Sequence, residues 1–299
     1  MSAQHLFLVL AVCALVSSGA KAQELTCTLK KIDTTKTVTL GHRESSIPFS
    51  YYDDKQRVIG YSHEIMLKVV DAIQHELRLP DVRVKLVPIS SQNRIALIQN
   101  GTVDLECGST SNTAERQKQV AFSNSLFVIG TRLLVKKDAG IKDFPDLAGK
   151  TVVTTAGTTS ERRLRKMNAD KKMNMNIISA KDHGESFLTL ETGRALAFML
   201  DDVLLYGELA KAKHRDDWVV TGTPQSREAY GCMLRKDDAA FKKLVDAAIA
   251  QVQTSGAAEG LYRKWFLSPI PPKGLNLNFP MSPEVRALFK NPSDQAYAE

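Results

Sequence analysis

Long apolar runs are scarce in this chain of 299 residues, and its one continuous run, residues 6–16, holds only eleven. A membrane-spanning helix needs about 20 apolar residues, so this run does not fit an anchor. It fits the apolar stretch of a cleavable leader, with Ala20-Lys21-Ala22 as the small-x-small cleavage site. Basic residues are missing from the start of that leader, which offers only the chain amine and His5. Cysteine is sparse as well, with four in all. Cys13 would leave with the leader, and Cys27, Cys107 and Cys232 share no zinc-ligand spacing, which argues against a metal site. Three remaining thiols are an odd number for an oxidising compartment, and a Cys107–Cys232 disulfide or free thiols at both are equally open. Aromatic residues make up only 7% of the chain and none interleave the basic stretches 162–166 and 171–172. Those stretches read as a solvated helix face, and nucleic acid is not an expected partner.

Cleavage after residue 22 removes 22 of 299 residues, leaves 277, and with Lys21 takes the formal charge from +7 to +6. That length suits two lobes with real cores. Apolar spacing predicts strands near residues 37–41, 82–87 and 103–107, with helices over 62–75, 92–99 and 115–120 between and after them. Residues 131–137 read as a crossover strand. A second alternation follows: strands at 151–155, 176–179, 195–200 and 218–221, helices at 160–168, 184–192 and 203–212. A return strand at 230–235 and a long amphipathic helix at 238–254 close the pattern, with a short helix near 283–290 in the tail. Strand–helix alternation implies an α/β fold with mostly parallel sheets. The expected division is a signal peptide at 1–22, one lobe from 23–128 with 225–299, and a second from 129–224, joined by two crossings. The cleft between such lobes, at the carboxyl ends of strands, is the expected site.

The loops at those strand ends carry the chemistry. Arg43 follows the first strand, and Ser91 and Arg94 follow the second; if Gln92 opens a helix, their spacing of three lets them face the same way. Ser109 and Ser111 lie in a turn of small residues that leads to Arg116, where exposed amides and a guanidinium suit a carboxylate. Thr158 and Thr159 open another helix, with Thr158 and Glu161 spaced as a capping box. His183 precedes a helix, Asp201 ends a buried strand, and Asp202 reads as a plain cap. Each residue has a blander use as a surface charge or cap, but an alternating fold would gather all of these loops on one cleft. Three arginines, with His183 available as a fourth cation, then face Asp201. That balance suits a molecule with two carboxylates and one ammonium. Arg116 with Ser111 and Thr159 would hold one carboxylate, Asp201 with the Ser109 carbonyl the ammonium, and Arg43, Ser91, Arg94 and His183 the distal carboxylate. A neutral amide there would leave buried cations unpaired, at a cost of several kcal/mol.

At these residues the chain resembles the periplasmic amino-acid-binding proteins of ABC transporters. The resemblance rests on Thr113-Ala-Glu-Arg116, Thr155-Ala-Gly-Thr-Thr-Ser-Glu161, Gly193-Arg-Ala-Leu-Ala-Phe-Met-Leu-Asp201-Asp202 and Tyr230-Gly-Cys-Met-Leu-Arg-Lys-Asp237. Gly41-His-Arg-Glu-Ser-Ser, Ser91-Gln-Asn-Arg94, Glu106-Cys-Gly-Ser-Thr and Ser179-Ala-Lys-Asp-His-Gly184 are similar to its acidic-amino-acid-binding members. The resemblance implies a hinge-bending, two-lobed (type II) receptor in the periplasm. It would capture L-glutamate or L-aspartate as a monomer without cofactor and deliver it to the membrane permease of an ABC importer. It also implies that Arg116 clamps the α-carboxylate and Asp201 the α-ammonium. An exported lyase or dehydratase on the same fold would need a poised carboxylate, for which Glu44 and Glu106 are the nearby candidates. A sensor domain would need a membrane span and a signalling domain after it.

Overall fold

The computed structural model describes residues 27–297, so the signal peptide expected at 1–22 lies outside the described residues. Two five-stranded sheets organise the chain. The first has the order Arg83–Pro88, Thr37–His42, Leu105–Glu106, Met233–Leu234, Ala121–Phe122. Its first three strands are parallel, and Met233–Leu234 runs antiparallel to both neighbours. The second has the order Asn176–Ala180, Thr151–Thr155, Ala197–Asp201, Thr131–Lys136, Trp218–Thr221. Again three strands are parallel and the Thr131–Lys136 strand is antiparallel to its neighbours. The stretch expected to be a crossover is therefore a full member of the second sheet. The crossing lies just before it, where Phe127–Ile129 pairs antiparallel with Glu228–Tyr230.

The expected return strand is accordingly split into Glu228–Tyr230 and Met233–Leu234. Gly231 and Cys232 lie between them, and a Cβ at Gly231 would sit 3.2 Å from the Ser123 carbonyl oxygen. Cys107 and Cys232 form a disulfide that ties the end of the Leu105–Glu106 strand to this break. Cys27 is free and exposed.

Helices cover both sheets for sequence reasons. Over Tyr61–Leu77 the buried residues Ile65, Met66, Val69, Val70 and Ile73 recur at helical spacing and form one stripe. Burying each contributes about 1.5–3 kcal/mol, so a charge at Val69 would unseat the helix. Arg78 ends it in the left-handed region at φ 53°. Helices Cys27–Thr35 and Ala257–Phe266 were not foreseen from the sequence. The first offers only Thr28, Leu29 and Ile32 to the core, too few for a visible period. Beneath the paired crossings Phe127 packs on Phe49 at 5.1 Å and on Phe266 at 4.9 Å between ring centroids, and Phe49 meets Tyr230 at 5.2 Å. The junction between the sheets is thus an aromatic core.

Candidate functional site

The carboxyl ends of the two sheets face each other, and the loops singled out above converge between them. Arg43, Arg94 and Arg116 are all buried, as are His183 and Asp201. Helix formation starts at Arg94, not Gln92, with Asn93 at the cap position. Arg94 therefore projects from the first helical residue, while Ser91 sits in the preceding turn.

One wall belongs to the first sheet. The Arg43 Nη1 donates to the Gly108 carbonyl at 3.4 Å and to Ser109 Oγ at 3.5 Å. Arg94 Nη1 donates to the Gly108 and Ser109 carbonyls at 3.4 and 3.2 Å, and to Thr110 Oγ1. Ser109 achieves this in the left-handed region, at φ 53°. The Ser109 carbonyl, expected beside Asp201, thus accepts from Arg94 here. Ser91 Oγ and Arg94 Nε are buried and meet no hydrogen-bond partner among the described residues. Arg116, one turn into the Ala114–Gln117 helix capped by Thr113, donates from Nη1 to the Ser111 carbonyl at 3.0 Å. Its Nη2 crosses the cleft to the Gly157 carbonyl at 3.2 Å. Gly157 lies at φ 77°, and a Cβ there would meet the Gln92 nitrogen at 2.8 Å, so only glycine permits this approach.

The opposite wall comes from the second sheet. Thr158 caps the Thr159–Asp170 helix, accepting from the Glu161 amide at 3.0 Å and donating to the Thr155 carbonyl at 2.7 Å. The capping box is half made, because Glu161 Oε2 accepts from the Gly157 amide at 2.8 Å. Thr159 is buried as the first helical residue. His183 opens its helix, with Nε2 3.5 Å from Arg43 Nη2 and Nδ1 2.9 Å from Thr155 Oγ1. A guanidinium can only donate, so Nε2 accepts and Nδ1 carries the proton toward Thr155. Thr155 in turn lies 2.8 Å from Ser186 Oγ, which donates to the Asp182 carbonyl at 2.8 Å. Asp201 accepts from Ser160 Oγ at 2.9 Å and from the Tyr230 hydroxyl.

Burial shifts the charged groups in opposite directions. Desolvation, then Arg94, lowers Arg43 to about 10; desolvation, then Arg94 and Arg162, lowers Arg116 to about 9. Both guanidiniums stay charged at neutral pH. Desolvation, then Arg43, Arg94 and Lys211, holds His183 well below its ordinary value. His183 is therefore neutral and adds no fourth cation. Asp201 is pushed up to about 7 by burial and then by Glu228, against the pull of Tyr230 and Ser160.

Five neighbours join the site beyond the expected ligand set: Glu106, which the sequence offers only as a rival catalytic carboxylate, and Thr110, Thr155, Ser160 and Tyr230. All five lie inside the motifs that carry the family resemblance, where nothing local sets them apart from their neighbours. The basic stretch after Ser160 is more than a solvated face: Arg162 pairs with Glu115 at 3.1 Å and Arg163 with Glu228 at 3.5 Å, both across the cleft. A groove of about 1070 Å³ lies elsewhere, between the Tyr61–Leu77 and Ala239–Thr254 helices, away from these groups.

Comparison with known proteins adds a family and near relatives. Residues 38–268 match the family model of bacterial extracellular solute-binding proteins, family 3. The L-glutamate/L-aspartate-binding protein of Pseudomonas aeruginosa is 65% identical over 286 residues, covering 95% of each chain. The glutamate/aspartate import solute-binding protein of Salmonella typhimurium is 62% identical over 269 residues, 90% of this chain and 89% of that one. Among solved structures, an ancestral arginine-binding protein bound to arginine superposes with a TM-score of 0.69 at 26% identity, covering 77% of this chain and 98% of that one. A solute receptor for L-cysteine of Neisseria gonorrhoeae shares the fold, with a TM-score of 0.71 at 24% identity over 81% and 94% of the two chains.

Proposed function

The chain belongs to family 3 of the bacterial extracellular solute-binding proteins, and from that premise we propose that it captures L-glutamate and L-aspartate between its two sheets for the membrane permease of an ABC importer. The observation that carries this reading is a charge balance. Arg43, Arg94 and Arg116 are buried together with Glu106 and Asp201, while His183 is neutral and Glu228 is paired with Arg163. With Asp201 ionised, as taking an ammonium requires, three positive charges against two negative ones leave one uncompensated. An acidic amino acid carries one net negative charge at neutral pH and closes the balance; glutamine does not. Leaving a buried charge unpaired costs several kcal/mol, so the amide is rejected. One methylene separates aspartate from glutamate and is worth only about 1–3 kcal/mol, which suits acceptance of both.

In this reading Arg116, with Ser111, Thr158 and Thr159, holds the α-carboxylate, and Asp201 takes the ammonium beside Ser109. Arg43, Ser91 and Arg94 hold the distal carboxylate, where Ser91 Oγ and Arg94 Nε have hydrogen-bonding capacity in reserve. His183, neutral and with its one N–H turned to Thr155, serves this end by accepting from Arg43 and orienting it. One lobe comprises 23–128 with 225–299 and the other 129–224, hinged at the paired strands Phe127–Ile129 and Glu228–Tyr230. The protein works as a periplasmic monomer by closure: the ligand bridges both walls and favours the closed form. It acts as a receptor and not an enzyme: of the two carboxylates a rival catalytic reading would use, Glu44 is exposed to solvent and Glu106 has both oxygens engaged by the turn after it.

Titration calorimetry tests this. Glutamate and aspartate should each bind, be recovered unchanged, and saturate the protein at concentrations where glutamine gives no heat. Glutamine binding as tightly as glutamate would sink the reading.

A further inference from the structure

Glu106 ends the central strand of the first sheet and is fully buried. Its carboxylate folds back over the following turn. Oε1 accepts from the Gly108 amide at 2.7 Å, and Oε2 accepts from the Thr110 hydroxyl at 2.7 Å. With those donors directed to Glu106, the turn presents acceptors on its other side. The Gly108 carbonyl, the Ser109 carbonyl and the free lone pairs of Thr110 all receive Arg94 Nη1, and the Gly108 carbonyl also receives Arg43 Nη1. A hydroxyl has one proton, and a guanidinium cannot accept one. Thr110 can therefore accept from Arg94 only while its own proton points away from it, and the bond to Glu106 holds the proton there. Gly108 stands between the carboxylate and Arg43: a Cβ there would lie 2.5 Å from Arg43 Cγ and 3.1 Å from Glu106 Oε1.

We propose that Glu106 is a positioning residue for selectivity: acting through Gly108 and Thr110, it sets Arg43 and Arg94 where a ligand's second carboxylate meets them, and so sets the preference for glutamate over glutamine. This rests on the cleft being an acidic-amino-acid site. A charge-assisted hydrogen bond is the strong kind, and Glu106 supplies two to the turn that carries both arginines. Glutamine in its place satisfies one of the two donors. Its amide N–H then faces the other, which turns the Thr110 proton toward Arg94.

The test is calorimetry on the mature protein with L-glutamate and, at millimolar concentration, L-glutamine, for the wild type, Glu106→Gln, Thr110→Val and Thr110→Ser. Glu106→Gln and Thr110→Val should weaken glutamate about ten- to hundredfold, the span of one hydrogen bond to a charged group. Glutamine binding should stay where it was, so the ratio between the two ligands narrows. Thr110→Ser keeps the hydroxyl and should keep the wild-type ratio. Two results overturn the proposal. Glutamate binding that is unchanged or tighter in Glu106→Gln means that the carboxylate acts by repelling the ligand. A parallel fall for both ligands means that Glu106 merely supports the fold. If Glu106→Gln is unfolded by circular dichroism, the Thr110 pair decides alone. A wild type that ignores glutamate removes the acidic-amino-acid reading itself, whereas a wild type that binds beside variants of unchanged ratio removes only the role of Glu106.

Discussion

The two ends of the cleft are built to opposite rules. At the end formed by the first sheet, Arg43 and Arg94 are buried cations whose free N–H groups rest on the carbonyls and hydroxyl of one turn. At the other end Asp201 is a buried carboxyl crowded by Glu228 and Asp202, with two hydroxyls turned toward it. Burial lowers the arginines and raises the aspartate, so each end disfavours the charge it must use. A molecule with a carboxylate at one end and an ammonium at the other relieves both at once. The difference lies in adjustability. A guanidinium is a fixed fork that cannot give up its charge, whereas Asp201 can hold a proton and its hydroxyl partners can rotate. Losses at the arginine end should therefore be large and at the aspartate end graded.

The largest effect should come from Arg94→Ala. It removes the cation of the distal subsite and strands Thr110 Oγ1 and two carbonyls that now receive Arg94. Breaking a buried pair by removing one partner costs about 3–5 kcal/mol, about a hundredfold to several thousandfold in Kd. Circular dichroism should show the fold retained, because the hydrogen bonds of Arg94 go to the Gly108–Thr110 turn and the substitution alters no member of the apolar clusters. Calorimetry that finds glutamate bound normally would take Arg94 out of the site and erase the contrast between the two ends.

How far this contrast was legible beforehand depended on residue type. Arginines after strands and an aspartate closing a buried strand are visible because polar groups at such places break the apolar pattern. His183 was visible too, but its charge was not. Neutrality follows from burial first and then from the nearby Arg43 and Arg94, and both depend on chain segments far from it in sequence. Glu106 reads, with Glu44, as a candidate catalytic carboxylate, since nothing local shows that Gly108 and Thr110 occupy both of its oxygens. Tyr230 stands in a strand and packs against Phe49, so nothing local marks its hydroxyl as a partner of Asp201. In the fold, the rhythm of strands and helices was readable from apolar spacing. The membership of Thr131–Lys136 in the second sheet was not, because its partner Ala197–Asp201 lies some sixty residues onward.

An intermediate effect should appear with pH. The ligand-free Asp201 carboxyl sits at about 7, raised by burial and by Glu228. To take an ammonium it must lose its proton, so glutamate affinity should fall as pH drops below 7, by no more than about tenfold per unit. For the ligand-free fold the sign is reversed. A carboxyl raised above its unfolded value of 3.8 adds stability that is present at low pH and lost as pH rises toward 7. The rise in melting temperature on adding saturating glutamate should therefore be larger at pH 8 than at pH 6. His183, held well below 6.5, stays neutral through that window and does not confuse it. Asp201→Asn should weaken binding by about 1.5–3 kcal/mol and abolish the pH dependence. A dependence that survives in Asp201→Asn would assign it to another group.

The smallest effect should follow Tyr230→Phe, which leaves the ring on Phe49 and Phe127 and removes only the hydroxyl that donates to Asp201. Ser160 remains as a donor to the same carboxylate. Because the carboxyl can also keep its own proton below pH 7, the lost bond is partly replaced by protonation. Chemical denaturation should show the ligand-free protein weakened by about 1 kcal/mol. Glutamate affinity should stay within about threefold, since the ammonium supplies Asp201 with the donor it lost. A loss matching that of Arg94→Ala would mean that Tyr230 touches the ligand itself. The aspartate end would then be as rigid as the arginine end.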